Sequence, residues 1–212
     1  MLSTLAASLA ALTGLTVCVP ADEVPHPVVG SFDYESLYDG GVRYIEFRDV
    51  ATRRVDAWNN HYKNAQVPDA LVARMEAMPG TWRLLVVAED YCGDSANTIP
   101  YVAKLVDRAD NLDLRIIRSD VGKDVMEAHR TPDGRAATPT VILLNDRFEE
   151  AGCFIERPST LQTWFLDQET KLEEDDLYEQ KYAWYDEDQG QQTIAEIVAM
   201  VGAAANGGRI CR

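Results

Sequence analysis

The residues with the clearest chemical potential are grouped in Glu89-Asp90-Tyr91-Cys92-Gly93-Asp94-Ser95. A short apolar run, Trp82 to Ala88, precedes them, and a stretch with helical periodicity, Cys92 to Val106, follows. A strand running into a helix puts Cys92 at a helix N-terminus. There the unpaired backbone N–H groups and the positive dipole end favour thiolate, the nucleophilic form. Ser95, three residues on, is placed to donate its hydroxyl to the sulfur, and the Gly93 and Asp94 amides to stabilise a sulfur anion. Glu89, Asp90 and Asp94 pull the other way, since negative charges oppose a thiolate. Each influence is worth about 1 kcal/mol or less when exposed, so the sequence leaves the balance open. The chemistry that suits such a group is attack on another sulfur.

The elements that must hold this loop follow from periodicity. Phe47, Ala51, Val55, Trp58 and Tyr62 form one stripe and predict a helix from about 42 to 62. A second helix turns Leu71, Val72, Met75 and Met78 inward and stops at Gly80. After the buried strand at 82–88 come a helix (92–106), a strand (112–117) and a short helix (121–129). Pro132, Asp133 and Gly134 mark a loop. Strands at 138–144 and 149–155 flank the turn Asn145-Asp146-Arg147. Ser159-x-x-Gln162 and Thr193-x-x-Glu196 read as capping boxes opening two further helices. The first presents Leu161, Trp164 and Phe165 to the core, and the second Ile194, Ile197, Val198 and Val201. An acidic, aromatic helix between them, about 170–190, is expected to pack through Tyr178, Tyr182, Trp184 and Tyr185. The order β-α-β-α-β-β-α implies a parallel pair followed by a hairpin, a sheet covered by helices.

Composition narrows the partners. The chain has 212 residues and a net charge of −15. So acidic a surface repels phosphate backbones and anionic membranes; no nucleic-acid partner is expected, and no integral membrane span. Cys18, Cys92, Cys153 and Cys211 are widely spaced and form no CxxC pair, so no disulfide framework is expected. Cys153 reads as a small buried hydrophobe on a strand, and Cys211 as part of a flexible tail after Gly207-Gly208. His26, His61 and His129 are scattered, and no metal site or cofactor is implied. Residues 2–19 are mostly small or apolar, but no Lys or Arg precedes Arg43. A cytoplasmic location is therefore expected, with export or lipid anchoring as the alternative.

The motif loop, the helix and two prolines resemble the thioredoxin superfamily. Tyr91 stands where an aromatic residue, usually Trp, precedes the cysteine. Pro100 falls where thioredoxins kink this helix, and Thr138-Pro139-Thr140 where they carry a cis proline beside the thiol. More narrowly, the chain resembles a bacterial group with a Glu-Asp-Trp-Cys-Gly-Asp type motif and helical extensions on both sides. The resemblance implies an α/β, thioredoxin-like mixed sheet flanked by helices. The expected division is an apolar extension at 1–27, a helical extension at 28–66, the thioredoxin-like domain at 67–168, and a C-terminal helical extension and tail at 169–212. It also implies a site with Cys92, Ser95 and Pro139 as reacting residues and Tyr91, Gly93, Asp94 and Thr138 around the substrate.

Two departures limit that analogy. Thioredoxins resolve mixed disulfides with a second cysteine at the fourth motif position, which is Ser95 here; a hydroxyl cannot replace a thiolate in that attack. Their buried acid below the motif is replaced by Val86. The expected function is thus monothiol exchange with protein or small-molecule thiols and disulfides, completed by an external reducing thiol, with Cys153 or Cys211 as the alternative resolving thiols. One alternative is a non-catalytic binding module on the same fold. A lesser one is a glutathione-bridged iron–sulfur site, because Cys-Gly-Asp-Ser is similar to the Cys-Gly-Phe-Ser of monothiol glutaredoxins. Against it, no basic cluster is visible beside the motif to receive an anion; Arg157, after the last strand on the motif side of the sheet, is a single cation that could pair an anionic ligand or offset the local acids.

Overall fold

A computed structural model describes residues 32–211, which fall within one compact unit, 31–212. The apolar N-terminal segment, with Cys18 and His26, lies outside the described residues.

Five strands form one mixed sheet: β1 (Trp82–Val87), β2 (Leu112–Ile117), β3 (Thr140–Leu144), β4 (Glu150–Ile155) and β5 (Ile210–Cys211). Their spatial order is β2-β1-β3-β4-β5. β1 runs parallel to β2 and antiparallel to β3. β3 and β4 form the expected hairpin. The central strands read as continuous apolar runs because both faces are covered. Leu84 and Val86 point into the larger core, with side chains from α2 (Tyr44–Asp49), α3 (Val55–Asn64), α4 (Asp69–Glu76), α5 (Gly93–Val106) and α9 (Gln191–Ala205). Leu85 and Val87 point into the smaller one, beneath α1 (Tyr34–Asp39) and α6 (Lys123–Ala128). The remaining helices are α7 (Ser159–Gln168) and α8 (Glu174–Asp188).

Register explains where chemistry can occur. Val87, the end of β1, lies beside Ile117, the end of β2, and Thr140, the start of β3. Thr140 in turn lies beside Ile155, the end of β4. The loop after β1, Arg118-Ser119 after β2, Thr138-Pro139 before β3 and Glu156-Arg157 after β4 therefore emerge at one end of the sheet.

Five expectations are corrected. The single helix read over 42–62 is two, broken at 50–54. The Thr52 and Arg53 N–H groups turn away to the Asp90 carboxylate, at 2.8 and 3.2 Å, and Arg54 sits in the left-handed region with φ 50°. Neither capping box forms. Pro158 caps α7, and Glu196, expected to cap its own helix, accepts from the Ser159 N–H and hydroxyl instead, at 2.9 and 2.6 Å. α9 starts earlier, after Gly190, with Thr193 buried inside it. Trp164 is only half-buried, while Trp58 and Trp82 are core residues. α8 buries Leu177, Lys181 and Tyr185, leaving Tyr178 exposed, so its inward line contains a lysine.

The last correction is covalent. Cys153 and Cys211 form a disulfide across 58 residues. Gly207 takes φ 76° after α9, a conformation that favours glycine. The chain then turns back so that β5 pairs with β4, placing Cys211 beside Cys153. Sequence distance hid a pair that strand register makes adjacent.

Candidate functional site

Cys92 is the N-cap of α5, and it is the free cysteine among the described residues. It is partly exposed, at the point where the strand-to-helix reading placed it. Its Sγ accepts from the Ser95 backbone N–H at 3.4 Å and donates its proton to the Thr138 carbonyl at 3.1 Å. The Ser95 hydroxyl does not reach the sulfur as expected; it is fully buried and has no hydrogen-bond partner. The Thr138–Pro139 peptide is cis, and the Pro139 carbonyl accepts from the Glu156 N–H at 2.7 Å. Cys92, Ser95, Thr138 and Pro139 are thus brought together. Tyr91 is 58% exposed beside them.

The three acids expected to crowd the thiol are each committed elsewhere. Burial works against the charged form of Glu89, but hydrogen bonds from the Ser119 hydroxyl and N–H and from Arg118 outweigh it, holding the carboxyl below the ordinary range. Burial likewise opposes the charge on Asp90, and the Thr52 and Arg53 N–H groups with Arg118 overcome it. Asp94 is buried among Lys181 Nζ at 3.2 Å, Arg157 Nε at 3.5 Å and the Tyr185 hydroxyl at 2.9 Å. Lys181 and Arg157 side chains are only 2% and 3% exposed. Burial pulls the Lys181 ammonium below its ordinary pKa, with Asp94 working against that shift.

Several of these residues carried no recognisable signal of their own. Arg54 donates from Nε to the Tyr91 carbonyl at 2.7 Å and from its guanidinium to the Tyr182 hydroxyl at 3.2 Å. Tyr182, from α8, lies so close over the motif that a Cβ on Gly93 would fall on its hydroxyl. The sequence hint that could have been used is the four-residue spacing of Leu177, Lys181 and Tyr185, one helix face that includes a cation. Segments on both sides of the core fold therefore close onto the motif, the residue preceding α3, Arg54, and α8 through Lys181, Tyr182 and Tyr185.

A cluster of mixed charge is also here. A pocket of about 460 Å³ opens beside Gly93 and Asp94, with Arg54, Arg135, Arg157 and Lys181 in its lining. Among the described residues no group of three His, Cys, Asp or Glu side chains is placed to hold a metal ion. None of their helices is long and apolar enough to cross a membrane.

A mixed sheet whose first strand leads into a helix capped by cysteine, opposite a proline-led strand, defines a thioredoxin-like α/β protein. A family model described as thioredoxin matches residues 41–175, and the chain belongs to that family. Among solved structures, a protein of unknown function from Pseudomonas aeruginosa is similar over 81% of this chain and 98% of its own, at 21% identity and TM-score 0.65. An HIV epitope-scaffold is similar over 82% and 98%, at 22% identity and TM-score 0.61. Both likenesses concern the fold. No curated protein matches the sequence.

Proposed function

We propose that the protein is a monothiol member of its family that exchanges disulfides through Cys92. The observation that carries this reading is a partly exposed sulfur at a helix start, 3.4 Å from a backbone N–H and facing Thr138-Pro139. In the first step the Cys92 thiolate attacks a substrate disulfide. A new S–S bond forms to Cys92, and the departing sulfur takes the electron pair and then a proton from water. An external thiol attacks the mixed disulfide, frees Cys92 and leaves with the retained sulfur as a new disulfide. Resolution is assigned to an external thiol because, among the described residues, Ser95 cannot supply it and Cys153 and Cys211 are paired with each other. Thr138 and Pro139 border the strand-like edge along which an extended substrate segment would align; Tyr91 and Gly93 border it from the motif side.

The Cys153–Cys211 pair also bears on compartment. Persistent disulfides belong to oxidising environments, so it supports the exported alternative over the cytoplasm.

A second reading, a binding module without catalysis, is favoured by the Thr138 carbonyl 3.1 Å from the sulfur. That oxygen is a good partner for S–H and a poor neighbour for a thiolate. One experiment separates the two: reduction of insulin or of an aromatic disulfide by dithiothreitol, with wild-type protein and Cys92→Ser. Exchange predicts acceleration by wild type alone; equal rates for the two proteins would remove the redox reading and leave the binding one.

A further inference from the structure

The pocket beside the motif gathers charges of both signs. The chain carries a net charge of −15, yet four cations, Arg54, Arg135, Arg157 and Lys181, meet three carboxylates in this lining, those of Asp94, Glu156 and Glu169. Two of the carboxylates are shared. Glu156 receives both Arg135, at 3.0 Å on each oxygen, and Arg157, at 2.7 Å. Asp94 receives both Arg157 and Lys181. Arg135, which is exposed, pairs with Asp133 as well, so these three cations meet three acids, and of the four only Arg54 forms no ion pair among the described residues. Arg157 Nε approaches Asp94 but has no hydrogen-bond partner, although the residue is 4% exposed. A buried guanidinium donor left unpaired is costly. The cavity it lines, about 460 Å³, suits a small molecule. Phe165, 3.8 Å beneath the Arg157 guanidinium carbon, keeps that group facing one way.

We propose that this pocket takes the carboxylate of a small acidic thiol or disulfide, with Arg54 and Arg157 receiving the anion and Cys92 at the reacting end. The reaction part rests on the exchange reading of Cys92; the binding part does not. Gly93 and Asp94 line the pocket immediately after Cys92, so a carboxylate held there leaves its sulfur within a few bonds of Sγ. The chemistry is the exchange already written, with the acidic disulfide accepting the electron pair and an external thiol restoring Cys92.

The test uses two small disulfides of similar size, 3,3′-dithiodipropionate and the neutral 2-hydroxyethyl disulfide, with dithiothreitol as external thiol. Wild type should act on the diacid at least tenfold more efficiently in kcat/KM, and the preference should shrink with added salt. Arg54→Gln should lower the diacid-to-neutral ratio about tenfold, as loss of a charge-assisted contact does, and Arg54→Lys should keep most of it. The ratio is the readout because a loosened motif loop would slow both substrates alike. A Cys92-dependent rate with no preference for the diacid would overturn the pocket and leave the exchange reading intact. If neither disulfide reacts, calorimetric titration of dithiodipropionate into Cys92→Ser protein decides: Arg54-dependent, salt-sensitive binding upholds the pocket while the exchange reading fails, and no binding overturns the pocket.

Discussion

Asp94 and Glu150 are buried carboxylates at opposite ends of the central strands, and their surroundings differ in kind. Glu150, at the start of β4, accepts from the Tyr34 hydroxyl at 2.6 Å, from His129 Nε2 at 3.0 Å and from Arg209. Every partner converges on one acid, and the cluster ties α1, α6 and the β5 tail to the sheet edge. Asp94 faces Lys181 and Arg157, the latter also held by Glu156, and it borders an open pocket. A closed cluster serves the fold. One that lines a pocket carries stability and also faces open space.

The harshest way to break this contrast is Asp94→Ala. It strands Lys181 and leaves Arg157 with Glu156 alone, and loss of one partner of a buried pair costs about 3–5 kcal/mol. Urea unfolding measures it; a loss below about 1 kcal/mol would mean that the cluster is solvated like a surface pair. Glu150→Gln should cost less, about 2 kcal/mol, because the amide keeps the shape and loses charge-assisted hydrogen bonds.

The same variant sharpens the contrast through pH. Burial works against the charged His129 ring, but Glu150 and the Val125 carbonyl hold its proton, so its folded pKa lies above the ordinary value. Its contribution is full below the unfolded value of about 6.5 and is lost as pH rises through the folded one. Burial also opposes the charge on Glu150, but His129 and Tyr34 outweigh it and lower its pKa. Its contribution is full above the unfolded value of about 4.3 and is lost as pH falls through the folded one. The cluster should therefore hold best between about pH 4.5 and 6.5. Urea midpoints should decline from pH 6 to 8 in wild type and flatten in Glu150→Gln. Identical slopes would detach the cluster from the pH response.

The smallest effect tests how closely α8 sits on the motif. Gly93→Ala should cost about 1 kcal/mol, because a methyl group displaces the tip of one side chain. Tyr182→Phe in the same chain should recover most of that. Failure of the second change to rescue the first would place the strain elsewhere.

Much of this architecture was legible in residue order. The strand at 112–117, the helix opening at Cys92 and the hairpin turn at 145–147 match their patterns, since period and turn chemistry are local properties. The helix break at 50–54 was not legible, because its cause is a carboxylate about forty residues away, Asp90. The capping boxes misled for the same reason: Glu196 satisfies a different helix.

By itself, the sequence determined the family, the strand-to-helix turn and the place of Cys92 at the helix start. Strand polarity and apolar runs leave few ways to arrange those parts. Tertiary structure alone decided what surrounds the sulfur. It spent the neighbouring acids on Arg118, on backbone N–H groups and on buried cations, paired Cys153 with Cys211, and gathered Arg54, Arg157 and Lys181 from three distant elements. Charge and hydrogen bonding act through space, over a few ångströms, between groups that the chain order leaves far apart.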